Sequence, residues 1–152
     1  MKTFLLALAA ASVFAAGPAG FQIWESAELK GMGQKLSPKV DDHKVATESL
    51  AKYGNHALMV AHREGTGQAE LHEKQVDILI VENGEGTLVV GGTIPNSKTV
   101  SPGEIRGESI SGGEKNHIAA GDVVHIPVNT PHQVLLAPGK QITYVAVKID
   151  GV

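Results

Sequence analysis

The sequence contains no cysteine among its 152 residues, and aromatic side chains make up only 4% of it. The chain therefore has no disulfide bonds, no thiolate metal ligands and no cysteine nucleophile. The scarcity of aromatic side chains argues against an oligosaccharide groove lined with stacked rings. Neither charge dominates, since 13 Lys and Arg stand against 16 Asp and Glu. No basic stripe indicates a nucleic-acid surface, and no polybasic cluster indicates a membrane surface.

One long apolar run is present, at the start of the chain. Lys2 precedes thirteen mostly apolar residues from Phe4 to Ala16, and small residues follow as far as Gly20. This pattern predicts a cleaved secretory signal over residues 1–20, because a membrane span needs about 20 apolar residues. An uncleaved N-terminal anchor is the alternative. We expect a secreted or periplasmic protein that does not contact the membrane after cleavage.

Residues 21–53 are predicted to form an N-terminal helix and an edge segment. The helix is expected within residues 21–36, with one apolar side made of Ile23, Trp24, Ala27 and Leu29. Gly31 and Gly33 weaken this helix, since glycine lowers helix propensity. Residues 45–50 fit either a helical turn or an edge strand.

Residues 54–152 read as short strands separated by Gly and Pro turns, which predicts an all-β sandwich or barrel. The strongest strand is Val76–Glu82, and Asn83-Gly84 predicts a tight hairpin that returns through Thr87–Val90. The remaining strands are expected at 55–62, 68–72, 123–126, 132–136 and 141–149. Residues 93–113 are predicted to form a long loop with a short hairpin, and loops of this length are often functional.

Asp77 is unusual because it interrupts the apolar run VDILIV. A buried carboxylate without a partner is costly, so an inward Asp77 needs a metal ion or a cationic side chain. Alternation along the strand would then place Leu79 and Val81 inside with it. In the alternative, Ile78 and Ile80 face the core and Asp77 faces solvent.

Further polar side chains lie close to Asp77 in the predicted barrel. Glu70 and His72 are two residues apart and therefore share one face of a strand. His132 begins another strand directly after a turn at residues 129–131, which would aim its ring inward. Imidazole and carboxylate ligands suit manganese, iron, nickel or zinc, and two His with one carboxylate leave coordination positions open.

The spacing of these residues resembles the first sequence motif of the cupin family. Four residues separate Gly65 from Glu70, four separate His72 from Asp77, and six separate Asp77 from Gly84. In the family motif a Gly is followed by His-x-His, a Glu and a second Gly. Here Glu70 replaces the first His, Asp77 replaces the Glu, and the first spacing is one residue shorter.

A second stretch resembles the second cupin motif. Gly121, Pro127, Asn129 and His132 have the family's spacing, and Leu136 stands where the family has Asn. The resemblance implies a cupin-type antiparallel β-barrel, also called a double-stranded β-helix or jelly roll, with a short N-terminal helix.

The resemblance also implies a site. The family's metal ligands correspond to His72 and His132, to Asp77 with a conservative change, and to Glu70 by position alone. Glu70 is therefore a fourth ligand, a neighbour of His72 or a catalytic general base. Loss of the metal remains the alternative.

Three other side chains are weaker candidates. His62 would lie at the barrel mouth or at its rim, Tyr144 would reach the cavity or pack in the core, and Gln68 would contact the substrate or a ligand.

Three functions fit the resemblance. The first is an exported metalloenzyme of the dioxygenase, isomerase or lyase type that acts on a small polar molecule. The second is a non-catalytic module that binds or senses a small ligand, and the third is a structural cupin with a vestigial site. The resemblance and the apolar outward positions Ile78 and Ile80 further predict a homodimer, which sedimentation analysis would test.

Overall fold

A computed structural model describes residues 17–151. These contain an α-helix, α1, at Ser26–Leu36, a short 3₁₀ helix at Ser37–Lys39, and ten β-strands. The strands are β1 (Val45–Tyr53), β2 (His56–Arg63), β3 (Ala69–His72), β4 (Gln75–Val90), β5 (Lys98–Ser101), β6 (Glu104–Gly107), β7 (Glu114–Ala119), β8 (Val123–Ile126), β9 (His132–Leu135) and β10 (Ile142–Asp150). Residues 1–16, which hold most of the predicted leader, lie outside the described residues.

The strands form one curled antiparallel sheet that makes a β-barrel with a short N-terminal helix. Hydrogen bonding connects the strands in the order β1-β2-β10-β4-β9-β3-β6-β5, while β7 and β8 pair with β4 off this path. Residues 45–50, which the sequence left ambiguous, belong to the edge strand β1. The predicted hairpin within the long loop is β5 paired with β6.

The hairpin predicted at Asn83-Gly84 is wrong, because β4 runs through both residues without reversing. Gly84 has a positive φ of 80°, and the register against β10 shifts between Thr143 and Tyr144. A left-handed glycine at a register shift is typical of a β-bulge, which bends a strand. The first half of β4 pairs with β10 and β8, and the second half pairs with β7 and β9. The bend therefore carries one strand from one half of the barrel to the other.

The barrel interior contains the inward side chains of β4 and β10. Asp77, Leu79 and Val81 are buried, as the first interpretation of VDILIV requires. The inner core cluster consists of Ala61, Leu79, Val81, Leu88, Ile118, Ile126, Val134, Ile142, Tyr144 and Ala146. Outward side chains, Ile80 among them, pack in a second cluster beneath α1.

The predicted apolar side of α1 is only partly correct, because Leu29 packs against the cluster beneath the helix while Ala27 is exposed. The helix begins at Ser26, so Ile23 precedes it and is 72% exposed. The buried side is formed by Met32, Gly33 and Leu36, three and four residues apart as helical geometry requires. Because α1 covers Ile80 within the chain, Ile80 no longer supports the homodimer, which stays a prediction.

Among residues 17–151, no helix has the length and apolarity needed to cross a membrane.

Candidate metal centre

The two sequence motifs meet inside the barrel. Glu70 on β3 lies directly opposite His132 on β9, and the amide of Asn129 donates a hydrogen bond of 2.8 Å to the carbonyl of His72. Asn129 has a positive φ of 55°, a conformation that Asn tolerates better than most residues other than glycine. The turn before His132 is thus fastened to the strand that carries His72.

Four predicted site residues converge on one point. Glu70, His72 and His132 each offer a ligand atom, and these atoms all lie within 4.8 Å of one another. The Nε2 atom of His72 lies 3.6 Å from Glu70 Oε2 and 3.2 Å from Asp77 Oδ2. The Nε2 atom of His132 lies 4.0 Å and 3.6 Å from the same two oxygens. His72, His132 and Asp77 are buried.

The second nitrogen of each imidazole is already bonded, so its Nε2 faces the centre. The Nδ1 of His132 donates to the Thr130 carbonyl at 3.0 Å, because a carbonyl oxygen can only accept. Burial lowers the pKa of His132 and favours its neutral form, in which Nε2 carries a free lone pair. The Nδ1 of His72 is hydrogen-bonded to Glu104 Oε2. A carboxylate behind an imidazole is the usual way to orient a metal-binding histidine.

His72 has a pKa shifted in the opposite direction. Burial alone would lower it, but hydrogen bonds to Asp77 and Glu104 outweigh burial and raise the pKa from 6.5 to about 9. Glu104 is also paired with Arg106 at 2.5 Å. Burial would raise the pKa of Glu104, but His72 and Arg106 together lower it. Glu104 is therefore an ionised acceptor behind His72.

The two oxygens of Glu70 have different partners. Arg106 donates to Oε1 at 2.7 Å, and Arg63 donates to the same oxygen at 3.4 Å. Arg63 is held in turn by Tyr144, whose hydroxyl accepts from Nε at 2.9 Å. Only Oε2 of Glu70 faces the imidazoles, which is the arrangement expected of a monodentate ligand.

Asp77 has a cationic partner within the protein. Lys148 Nζ lies 3.0 Å from each of its carboxylate oxygens. Burial would raise the pKa of Asp77, but the neighbouring His72 and Lys148 lower it below its usual value. Asp77 is thus buried and charged. Of the two partners that the sequence analysis allowed for it, a metal ion or a cationic side chain, the structure shows the cationic side chain.

The convergent residues open into a cavity of about 310 Å³. Its polar lining includes Arg63, Gln68, Glu70, Asp77, Arg106, His132, Gln133, Tyr144 and Lys148. Its apolar lining is formed by Met59, Ala61, Leu79, Val134 and Ala146. A pocket of this size, with a few convergent polar groups on an apolar wall, is typical of a small-molecule site.

Of the three weaker candidates from the sequence, two lie at the cavity and one does not. Tyr144 and Gln68 line the cavity. His62 does not, because its ring is buried beneath α1, where Nδ1 is hydrogen-bonded to the Thr143 hydroxyl at 2.9 Å. The alternation along β2 explains this position, since Ala61 and Arg63 point inward and His62 points outward.

Five polar residues of the site were missed at the sequence level: Arg63, Glu104, Arg106, Gln133 and Lys148. Lys148 had a signal, because it interrupts the apolar strand QITYVAVKI and shares a face with Tyr144 and Ala146. Arg106 and Glu104 lie on β6, inside the stretch predicted to be a functional loop. Nothing in their spacing indicated that β6 would lie beside β3.

No known family model matches the sequence, and no curated protein matches it. Solved structures do match. A double-stranded β-helix protein from Klebsiella pneumoniae superposes with a TM-score of 0.57 at 16% identity, over 86% of this chain and 91% of that one. A cupin-2 domain protein from Rhodospirillum rubrum gives 0.53 at 15% identity, over 70% and 60%. The chain has the cupin fold. A polyketide cyclase from Streptomyces resistomycificus gives 0.50 at 16% identity, over 70% and 65%.

The site residues of this chain fit a divalent metal ion. Two imidazole Nε2 atoms and one carboxylate oxygen face a common point, and the atoms behind them are fixed by Thr130, Glu104 and the two arginines. Two His and one carboxylate form a set that transition metals accept. Two features depart from a simple four-ligand site. Lys148 contacts Asp77, and the raised pKa of His72 means that His72 must release a proton before its Nε2 can bind a metal ion.

Proposed function

We propose that this chain is an exported cupin that binds a divalent metal ion in its barrel and acts on a small polar molecule. The observation that carries the proposal is the convergence of His72 Nε2, His132 Nε2 and Glu70 Oε2 in a buried site. Buried titratable groups that meet in a cavity are candidates for function, because folding alone does not require them.

In this proposal His72, His132 and Glu70 hold the ion, with Asp77 as the nearest further carboxylate. The set suits manganese, iron, nickel or zinc. A bound ion would supply Lewis-acid stabilisation of negative charge on a substrate oxygen. Glu104 and Thr130 keep the two imidazoles oriented, while Arg106 and Arg63 fix the Glu70 carboxylate.

The substrate is proposed to bind in the cavity of about 310 Å³ beside these residues. Its apolar side chains would exclude water, and Tyr144 and Gln68 also line the cavity. A reaction of the dioxygenase, isomerase or lyase type fits such a site. The polyketide cyclase with this fold supports small-molecule chemistry in a barrel of this kind.

One observation favours a second candidate, a cupin that binds a small ligand without turnover and without a metal. Each acidic side chain at the site is paired with a cationic one, since Arg106 pairs with Glu70 and Glu104, and Lys148 pairs with Asp77. A site neutralised in this way is stable as it stands. Metal binding separates the two candidates.

The test is metal binding by protein purified without a chelating tag, measured by elemental analysis and then by calorimetric titration with manganese, iron(II), nickel and zinc. We expect one equivalent to bind the wild type, and His132→Ala to lose at least about tenfold in affinity because the ligand set is incomplete. The matched control is His125→Ala, which removes an exposed histidine on β8. Wild-type protein that binds none of the four ions would contradict the metal proposal and leave the second candidate.

A further inference from the structure

Lys148 makes more contacts at the candidate metal centre than any role described so far requires. Its Nζ atom donates to both Asp77 oxygens at 3.0 Å and to Gln75 Oε1 at 3.1 Å. The same atom lies 3.3 Å from His72 Nε2, the nitrogen that faces the ion site. An ammonium group therefore lies against one candidate ligand atom and occupies both oxygens of a nearby carboxylate.

This position is set by the backbone. Lys148 on β10 lies directly opposite Asp77 on β4, and the next inward pair along the same two strands is Ala146 and Leu79. Residues directly opposite each other in an antiparallel pair have neighbouring side chains. The sheet register thus brings the ammonium to the carboxylate, and the flexibility of the lysine side chain is not needed to explain the contact.

The contact has two consequences for a divalent ion. An ion held by His72 Nε2 would lie close to the ammonium, so the two positive charges would repel each other in a site shielded from water. Asp77, whose Oδ2 lies 3.2 Å and 3.6 Å from the two imidazoles, would otherwise be well placed to become a fourth ligand. Lys148 occupies that carboxylate instead.

We propose that Lys148 is a built-in cation that competes with the metal ion for Asp77 and thereby sets the metal affinity of the site. The inference depends on the proposed metal binding by Glu70, His72 and His132. In the native protein Asp77 would pair with Lys148, so the ion would have three protein ligands and not four. The site would then bind metal with moderate affinity.

A purely structural ion pair is the competing explanation. A buried carboxylate needs a partner, and removing that partner is destabilising whatever the metal does. A loss of thermal stability on replacing Lys148 therefore does not distinguish the two explanations. The affinity for metal does, because a structural pair has no reason to oppose binding.

The experiment is calorimetric titration of metal-stripped proteins with manganese(II). Lys148→Met removes the charge and keeps most of the side-chain volume, so we expect its Kd to fall at least about tenfold as Asp77 becomes a ligand. The double variant Asp77→Asn with Lys148→Met should lose this gain and return to within about threefold of the wild type. The matched control is Lys140→Met, which frees an exposed carboxylate, Glu85, from its lysine partner at 2.9 Å. We expect the control to bind as the wild type does.

Lys148→Gln is the second variant, in case Lys148→Met does not fold as judged by circular dichroism. It keeps a hydrogen-bond donor for Asp77 without the positive charge, so it should also bind more tightly than the wild type. If the folded variants bind manganese no more tightly, or if the double variant keeps the gain, Lys148 does not compete with metal and the inference is wrong.

The outcomes also separate this inference from the proposed function. A wild type that binds metal, with variants that bind it equally well, leaves the metal centre in place and refutes the role of Lys148. A metal-free wild type with a Lys148→Met variant that binds metal supports the role of Lys148 and refutes metal-dependent function. If no variant binds manganese, the inference about Lys148 is wrong, and the proposed function fails with it if the wild type also binds none of iron(II), nickel and zinc.

Discussion

The two carboxylate oxygens of Glu70 have different neighbours, guanidinium groups at one and imidazole rings at the other. Two guanidinium groups bind its Oε1, at 2.7 Å from Arg106 and 3.4 Å from Arg63, while its Oε2 faces two imidazoles. A proton-transfer group needs an oxygen free to approach the substrate. A ligand needs one oxygen that points at the ion and a fixed carboxylate plane, and the arginines supply that fixation.

Glu70→Gln tests which of these roles is correct. If Glu70 is a ligand, the neutral amide should weaken metal binding at least about tenfold, since it coordinates poorly and removes one of the two carboxylates that pair with Arg106. Calorimetric titration with manganese or nickel provides the measurement. Glu73→Gln is the control, because Glu73 is exposed and adjoins the site in sequence. Unchanged affinity in Glu70→Gln would restore the alternative role of Glu70 as general base.

Alternation along the strands predicted the inward side chains correctly but did not predict their partners. Glu70 and His72 share a face, and Asp77 points inward with Leu79, as a period of two requires. Lys148 was not recognised as the partner of Asp77, because that pairing depends on the register of β10 against β4, two strands separated by more than fifty residues. Alternation along a strand shows which face a side chain occupies. Register depends on which distant strands pair with each other, and local patterns do not reveal that.

The same limit explains the error at Asn83-Gly84. The dipeptide favours a tight hairpin in isolation, since both of its residues tolerate positive φ. In the fold, β10 pairs with β4 on both sides of the register shift, from Asp150 opposite Gln75 to Ile142 opposite Gly84. Long-range pairing therefore overrides the local turn signal and uses the glycine for a bulge.

Gly84→Ala tests the bulge. A Cβ atom at Gly84 would lie 2.0 Å from the carbonyl oxygen of Gln141, and the residue has a φ of 80°. We expect the free energy of unfolding to fall by at least about 2 kcal/mol, from backbone strain together with the clash. Gly139→Ala is the control, because Gly139 has a φ of 75° and open space around its Cβ position. It should lose only about 1 kcal/mol from strain. Equal losses of unfolding free energy for the two variants, measured in urea, would show that the close approach of position 84 to the Gln141 carbonyl does not affect stability.

At the scale of the described residues, the curled sheet surrounds a charged interior. The site holds three carboxylates, on Glu70, Asp77 and Glu104, which are matched by cations on Arg63, Arg106 and Lys148. Such an interior is costly to assemble unless every charge is paired. The inner apolar cluster shares Ala61, Leu79, Val134, Tyr144 and Ala146 with the cavity lining, while α1 covers a separate cluster on the outer face. Only the outer cluster is thus separate from the residues available for chemistry.

The location of the molecule depends on the first 20 residues. Lys2 followed by the apolar run from Phe4 to Ala16 predicts cleavage between about Ala16 and Gly20 and release as a soluble exported protein. Export suits the composition, because a chain without cysteine folds without disulfide formation in an oxidising compartment. Intact-mass measurement of the periplasmic or secreted fraction from a bacterial host should show a chain that lacks the leader.

Leu6→Arg places a charge in the apolar run and should block export, so that full-length protein accumulates inside the cell. Lys30→Arg, on the exposed side of α1, is the control and should be exported and cleaved as the wild type is. Full-length wild-type chain in the membrane fraction would instead indicate an uncleaved anchor. The substrate would then have to reach a barrel tethered at the membrane surface, and the barrel and its candidate metal centre would be unchanged.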